Sequence, residues 1–543
     1  MKEDNTHNTT LPQGGAMMPP PMMIGQGGQM IGTQMPPMGP HAPRGWRERM
    51  MRRFGMDVVV PIRKGERTIP GWMMGKPLAF FFISMFACWV AFGHVPAFDL
   101  VMAACISTVL FIYGSYSMAK AWERSKEGTF LKRVFIVGLV VRLIWVLYCY
   151  FIFNPEHFGN TYGDRADVDW YIPFAKDLSL WITGDSKYSL SEIIEIDKSA
   201  IDDVGYPMWL GLIYAIVGVE NDIFIPFVLK CILGAYCAIS IYHVAKRHWG
   251  EGVARMAAIF VCLNPNIIYW CASMMKEAEM VFLVCLAIDN FDRVLSSGQK
   301  YTLKSLLPGL LAGLALMFMR TALGLVAFMA VFSHIIMASK RVMSIGKKVL
   351  AGALVAAVLL VAMGDRIRNQ SEELFKSAQS SEKQEQNREF RATRAGGNTY
   401  AKYATAAVFA PLIFTIPFPT YNAAQEGQIV QVQLAGGSYI KNILSFFVII
   451  VMLLLLISGE WRRHVFIIAY TLGYHMVLVM SNFAHSGRFH MPVWPMILLF
   501  AAYGIQIAKV NKKMQRGFTI ALVLEVAICL AWNWFKLKGR GMI

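Results

Sequence analysis

Charge is scarce in this sequence, and its scarcity decides the class. Asp, Glu, Lys and Arg together make up 16% of 543 residues while 56% are apolar, against about 25% charged in an ordinary soluble domain. With a mean hydropathy of +0.44, a soluble globular fold of this length is excluded. Metal-ligand spacing is missing too. None of the nine cysteines (Cys88, Cys105, Cys149, Cys231, Cys237, Cys262, Cys271, Cys285 and Cys529) stands in a CxxC pair. All lie in or at the ends of apolar segments and read as packing residues, with no disulfide framework implied. No convincing internal repeat is present, and no cleavable signal is expected, because the apolar run nearest the start begins only around Leu78. The net charge of +17 does not imply nucleic acid: the basic residues fall in short clusters between apolar runs, as topology signals do.

Those apolar runs are what the chain has in abundance. Candidate spans are 78–95, 98–119, 133–153, 223–243, 254–271, 274–292, 304–319, 322–339, 348–364, 441–458, 465–482, 489–508 and 517–535, about thirteen helices in all. The expected fold is therefore an all-α polytopic membrane protein. With the basic N-terminus placed inside, the clusters at Lys120–Arg133, Lys246–Arg255, Arg293–Lys304, Lys340–Lys348, Arg462–Arg463 and Lys509–Arg516 all fall on the inner side. The register holds only if the apolar piece from Tyr206 to Val219 does not cross. At about fourteen residues it is short for a crossing, and it is expected as a juxtamembrane helix on the outer face. Lys536, Lys538 and Arg540 end up outside in this count, which leaves the number of helices at the C-terminus open.

Four regions follow. Residues 1–70 form a Met/Pro/Gly-rich tail that cannot build a core, with Arg44, Arg47, Arg49, Arg52 and Arg53 interleaved with Trp46, Met50, Met51 and Phe54 as a segment suited to anionic membrane lipids. Residues 71–364 are the first transmembrane part and include an outer aspartate loop at 154–222. Residues 365–440 are an outer loop, expected to act as a lid that shapes acceptor access, in which the proline-broken apolar stretch Ala410–Pro419 suits the interface. Residues 441–543 carry the last helices.

The unusual chemistry gathers on the outer face. Asp164, Asp167 and Asp169 crowd directly after an apolar run, followed by Tyr171. The same face receives Lys276-Glu277 at a tight turn, Arg320, and the His485-Ser486-Gly487-Arg488-Phe489-His490 turn. A carboxylate can deprotonate an acceptor hydroxyl or amine while cations hold a leaving phosphate, which describes sugar transfer from a polyprenyl-phosphate donor. Lys276, Arg320 and Arg488 are the candidate phosphate-binding cations, the arginines because a planar fork can bind two oxygens at once. Tyr171, Glu277, His485 and His490 are candidates for acceptor binding or support. One aspartate would serve as base; a divalent metal could instead sit between two of them, although none is required.

The order of parts resembles the GT-C superfamily of membrane glycosyltransferases, in particular the bacterial enzymes related to protein O-mannosyltransferases and lipid A aminoarabinose transferases. The resemblance is carried by the acids with Tyr171 behind them, Gly205-Tyr206-Pro207-Met208-Trp209, Asn264-Pro265-Asn266, Ser273-Met274-Met275-Lys276-Glu277, and Gly487-Arg488-Phe489-His490-Met491-Pro492-Val493-Trp494-Pro495. It implies a base or substrate-positioning role for Asp167 or Asp169, with Asp164 less favoured, and a lipid-phosphate site faced by Lys276-Glu277 and Arg488. The expected enzyme moves a sugar, with inversion, from a polyprenyl-phosphate donor to a glycan, lipid or protein acceptor at the periplasmic face of a bacterial inner membrane. Two rivals are an O-antigen-type polymerase or ligase and a lipid-linked oligosaccharide flippase or transporter. A transporter is expected to show repeats and charges near mid-membrane.

Overall fold

In a computed structural model of the chain, the described residues are 69–93, 98–153, 165–196, 204–218, 224–296, 302–337, 406–418, 429–481, 484, 486–509, 511–539, 541 and 543. The basic segment at 44–54, the span at 348–364, most of the 365–440 loop, Asp164 and His485 lie outside them. Among the described residues every element is helical.

In chain order the helices are α1 (Lys76–Phe92), α2 (Phe98–Val109, continued through a wider turn to Ala121), α3 (Glu127–Tyr148), α4 (Arg165–Thr183), α5 (Leu190–Ile196), α6 (Gly205–Val217), α7 (Phe224–Trp249), α8 (Glu251–Leu263) and α9 (Pro265–Tyr269). They continue with α10 (Glu277–Ser296), α11 (Leu303–Met319), α12 (Thr321–Met337), α13 (Ile429–Ser458), α14 (Val465–Met480), α15 (Trp494–Ala508) and α16 (Lys512–Gly539). Six described segments are long and apolar enough to cross a membrane, and a seventh if α8 and the bent stretch to Ala272 count as one. The expected thirteen is thus not confirmed among the described residues, and the span expected at 348–364 lies outside them. The apolar helices α6, α11, α12 and α14 have 13 to 17 residues, about 20–25 Å at 1.5 Å per residue, against a hydrocarbon core of about 30 Å. Helix α10 falls short on composition, because it carries Glu277, Glu279, Asp289, Asp292 and Arg293.

Burial sorts the helices into centre and rim. The segment Gly487–Ala508, which holds α15, is 89% buried over its apolar window, while those holding α1, α3 and α16 are only 22–28% buried. Around α15 pack α8 and α13, and α7 lies between α3, α8 and α10. The rim helices turn Ile83, Phe86, Ile144, Val523 and Leu524 outward, the side chains a lipid-facing surface needs, since hydrocarbon imposes no penalty on apolar exposure.

One break in this bundle positions the site. Helix α8 stops at Leu263 because Pro265 lacks an N–H and its ring crowds the preceding turn. Asn264 restarts the chain as a cap, its side-chain oxygen accepting from the Ile267 N–H at 3.1 Å. The axis turns by 45°. The carbonyls orphaned at the end of α8 are taken by Arg142, fully buried on α3, which donates to Cys262 O at 3.0 Å and Val261 O at 3.3 Å, and to Gly138 O of its own helix at 2.9 Å. Helix α7 makes room with Gly234, where a Cβ would lie 2.8 Å from Arg142 Nε. Arg142→Met, of similar length but without donors, should lower unfolding free energy by about 2–3 kcal/mol by leaving those carbonyls unsatisfied. A thermal melt in detergent checks this, and an unchanged midpoint would show that the break holds without the arginine.

Candidate active site

Of the aspartates expected in a polar loop, Asp167 and Asp169 lie instead in the first turns of α4. At 100° per residue, Asp167 and Tyr171 share one face of that helix, and Asp169 lies on another. Tyr171 is fully buried, Asp167 half-buried and Asp169 exposed. Helix α4 is held by α6, the short helix expected as a juxtamembrane element, and the two meet where the rings of Tyr171 and Tyr206 pack edge-on at 5.0 Å.

After the bend at Asn264 the chain passes Ser273 in extended conformation and reaches Lys276 and Glu277, which opens α10. Both side chains are fully buried. A carboxylate at a helix N-terminus gains from the helix dipole, and both acids in this first turn, Glu277 and Glu279, use it. The Lys276 ammonium lies 6.0 Å from the centre of the Tyr171 ring.

Arg488 closes the cluster. It stands on the 3-10 turn Gly487–Val493 that leads into α15, donates from Nη2 to Asp167 Oδ2, and donates from Nε to Glu277 Oε1. One guanidinium therefore bridges carboxylates from α4 and α10, residues 321 and 211 positions away in sequence. The two ends differ: the Glu277 side chain has no exposure, Asp167 keeps 33% and Arg488 16%. The site is closed behind Glu277 and open beyond Asp167.

Arg320 lies one step outward. It is extended between α11 and α12, and its guanidinium sits 4.7 Å over the Phe489 ring, next to Arg488 in sequence. Tyr474 fixes this neighbourhood by donating to Phe489 O at 3.0 Å. His490 points elsewhere. Buried beneath the turn, it meets Lys441 Nζ at 2.8 Å through Nδ1 and Ala484 O at 2.7 Å through Nε2. A carbonyl only accepts, so Nε2 carries the proton, and Nδ1 accepts from the lysine nitrogen. Lys441 also donates to the Ile413 and Ile416 carbonyls, and Asn442 to those of Thr415 and Pro417. Buried Lys441 and Asn442 on α13 thus pin the proline-broken segment beside the Arg488 turn.

The structure brings Asp167, Tyr171, Lys276, Glu277 and Arg488 together, sets Arg320 beside them, and turns Asp169 away. Among the described residues no group of three His, Cys, Asp or Glu side chains could hold a metal. The sequence reading gave no site role to Lys230, Glu279, Tyr206 or Lys441. A signal for the lysines existed: each is a lone ammonium in an otherwise apolar run, which costs free energy in a bilayer and so needs a reason.

The opposite end of the bundle holds a different set of charges. Arg247 pairs with Asp289 at 2.7 Å and Asp292 at 2.6 Å, Arg255 donates to Ser125 O at 2.7 Å, Lys246 pairs with Glu127, and His248 meets His464 at 2.7 Å. Burial, with His248 nearby, pushes His464 down to about 3, which keeps that ring neutral. Asp292 lies fifteen residues beyond Glu277 on α10, about 22 Å away along the axis. Of the segments assigned to the inner side by their Lys/Arg content, those around Glu127, Lys246–Arg255, Asp292 and His464 thus meet at one end of the helices, and the acid–arginine cluster lies at the other.

Residues 178–367 match the Alg9-like mannosyltransferase family, a GT-C-type family of membrane glycosyltransferases. No curated protein and no solved structure matches the chain. The matched stretch covers about a third of the sequence; it contains Lys276, Glu277 and Arg320 and leaves Asp167 and Arg488 outside. It supports a membrane glycosyltransferase, an enzyme with a sugar donor and an acceptor, in line with the resemblance drawn from motif order.

Proposed function

Taking a membrane glycosyltransferase as the premise, we propose that this protein transfers a sugar from a polyprenyl-phosphate donor to a hydroxyl or amine acceptor, with inversion, at the periplasmic face of a bacterial inner membrane. The observation that carries the reading is the bridge from Arg488 to Asp167 and Glu277, with Lys276 buried alongside. The unequal burial of the two carboxylates suggests separate roles. Glu277, closed in, stays on Arg488 Nε and aims the guanidinium. Asp167, at the open end, gives up its place on Nη2 to a phosphate oxygen and turns to the acceptor.

In the reaction, Asp167 takes the proton from the acceptor O–H or N–H as that atom bonds to the anomeric carbon. The bond from that carbon to the phosphate oxygen breaks, and its electron pair leaves with the phosphate. Arg488, Lys276 and Arg320 stabilise the growing negative charge. A lipid donor fits this placement because its tail stays in hydrocarbon while its phosphate reaches the depth where the arginines end. Attack from the face opposite the phosphate inverts the centre, so a single base suffices.

Purified protein in liposomes, offered labelled polyprenyl-phosphate sugars and the matching nucleotide sugars, tests the reading. Transfer from the lipid series alone, with inversion seen by NMR, is the expected result; transfer only from nucleotide sugars would overturn it. Because three cations supply the charge a metal would otherwise bring, transfer should persist in EDTA. Loss in EDTA with recovery on added Mg2+ or Mn2+ would return a metal to the mechanism.

A further inference from the structure

We infer that Lys230 is a positioning residue for the transfer reaction: a single buried ammonium fixes both carboxylates that grip Arg488. The inference rests on the function proposed above. Lys230 stands on α7 in the apolar run Phe224–Ala245 and is 1% exposed. An ammonium has three protons to donate. Lys230 Nζ lies 2.7 Å from Ser273 O, 2.5 Å from Met275 O and 3.1 Å from Tyr206 Oη, with Glu279 Oε2 at 3.4 Å as counter-charge.

Each contact leads toward the site by a short route. The carbonyls of Ser273 and Met275 belong to the stretch between the 3-10 turn ending at Ala272 and the start of α10, where Ser273 is extended and no regular helical ladder takes up the carbonyls. Lys230 holds them at the threshold of Lys276 and Glu277. Tyr206 leads the other way: its ring sits under the ammonium at 4.7 Å and packs edge-on to Tyr171 at 5.0 Å. Tyr171 lies one helical turn from Asp167 on the same face of α4. The Glu277 arm and the Asp167 arm of the bridge thus have a common anchor on α7. Burying an ion pair is seldom better for stability than apolar packing of the same volume, so stability alone gives little reason for this one.

Lys230→Met with Glu279→Gln tests the idea, because the double replacement leaves no unpaired buried charge. The variant should fold, with a melting midpoint lowered only by what the Ser273 and Met275 carbonyls lose with their donor, yet lose transfer about 10²-fold in kcat, the scale expected when catalytic groups move by about 1 Å. The donor KM should change little, and adding Arg488→Ala should deepen the defect much less than it does in the wild type. Near-wild-type kcat, or a loss that only tracks the unfolded fraction, would overturn the inference. Arg488→Ala and Asp167→Asn run alongside as a reference. If they abolish transfer while the Lys230 variant does not, only the anchor idea fails; if they too leave transfer intact, the function proposed above fails.

Discussion

Arg488→Ala is expected to reduce sugar transfer by about 10³-fold, the upper range for losing one preorganised donor aimed at developing charge. It should also cost about 3–5 kcal/mol of stability, because it strands a buried carboxylate. The stability cost falls on Glu277, which has no exposure and loses the donor on Oε1, whereas Asp167, one-third exposed, can turn to water. The two effects separate experimentally. Arg488→Ala with Glu277→Gln removes the stranded charge, so the melting midpoint should recover while transfer stays low. Arg488→Lys retains the charge but not the fork, and one ammonium cannot reproduce the geometry of both N–H bonds. It should fall between wild type and Arg488→Ala. Wild-type transfer by Arg488→Lys would mean that only net charge matters at this position.

Asp167→Asn should reduce kcat by about 10²–10⁴-fold, the range for removing a general base. Asp169→Asn should stay within about twofold of wild type, as an exposed substitution away from any partner does. The contrast follows from helix geometry: the two side chains are two positions apart on α4 and leave the axis about 200° apart. Asparagine can still accept from Arg488 Nη2, so the bridge survives and the loss isolates proton transfer. Comparable losses in both variants would mean that α4 presents both aspartates to the acceptor during turnover.

Much of this arrangement was legible in the sequence. Helical class followed from the apolar runs, and several of the ends grouped together by their Lys and Arg content meet one another through Lys246–Glu127, Arg247–Asp292 and His248–His464. Lys276, Glu277 and Arg488 were visible as charges at the ends of apolar segments. Three things were not legible. Asp167 could not be told from Asp169, because the segment read as a loop, and only a helix starting at Arg165 gives the two positions different faces. The anchors Arg142, Lys230 and Lys441 were present as lone charges in apolar runs, but their partners lie as far as 120 positions away in sequence and depend on how α3, α7 and α13 pack. The role of His490 was hidden for the same reason, since Lys441 and Ala484 decide which nitrogen carries its proton. The helix count is not confirmed among the described residues because of the short apolar segments, where composition suggests a crossing and 13 to 17 residues fall short of one.

The most direct measurement of the central claim follows one lipid-linked sugar through a single turnover of the purified protein. Quantifying the new glycosidic product and the liberated polyprenyl phosphate together, in wild type and in Asp167→Asn, reads the base and the leaving group in one experiment. The account predicts one lipid phosphate released per glycosidic bond formed in wild type, and neither in Asp167→Asn although donor still binds. Product formed by Asp167→Asn at the wild-type rate, or lipid moved across the bilayer with no bond made, would contradict it.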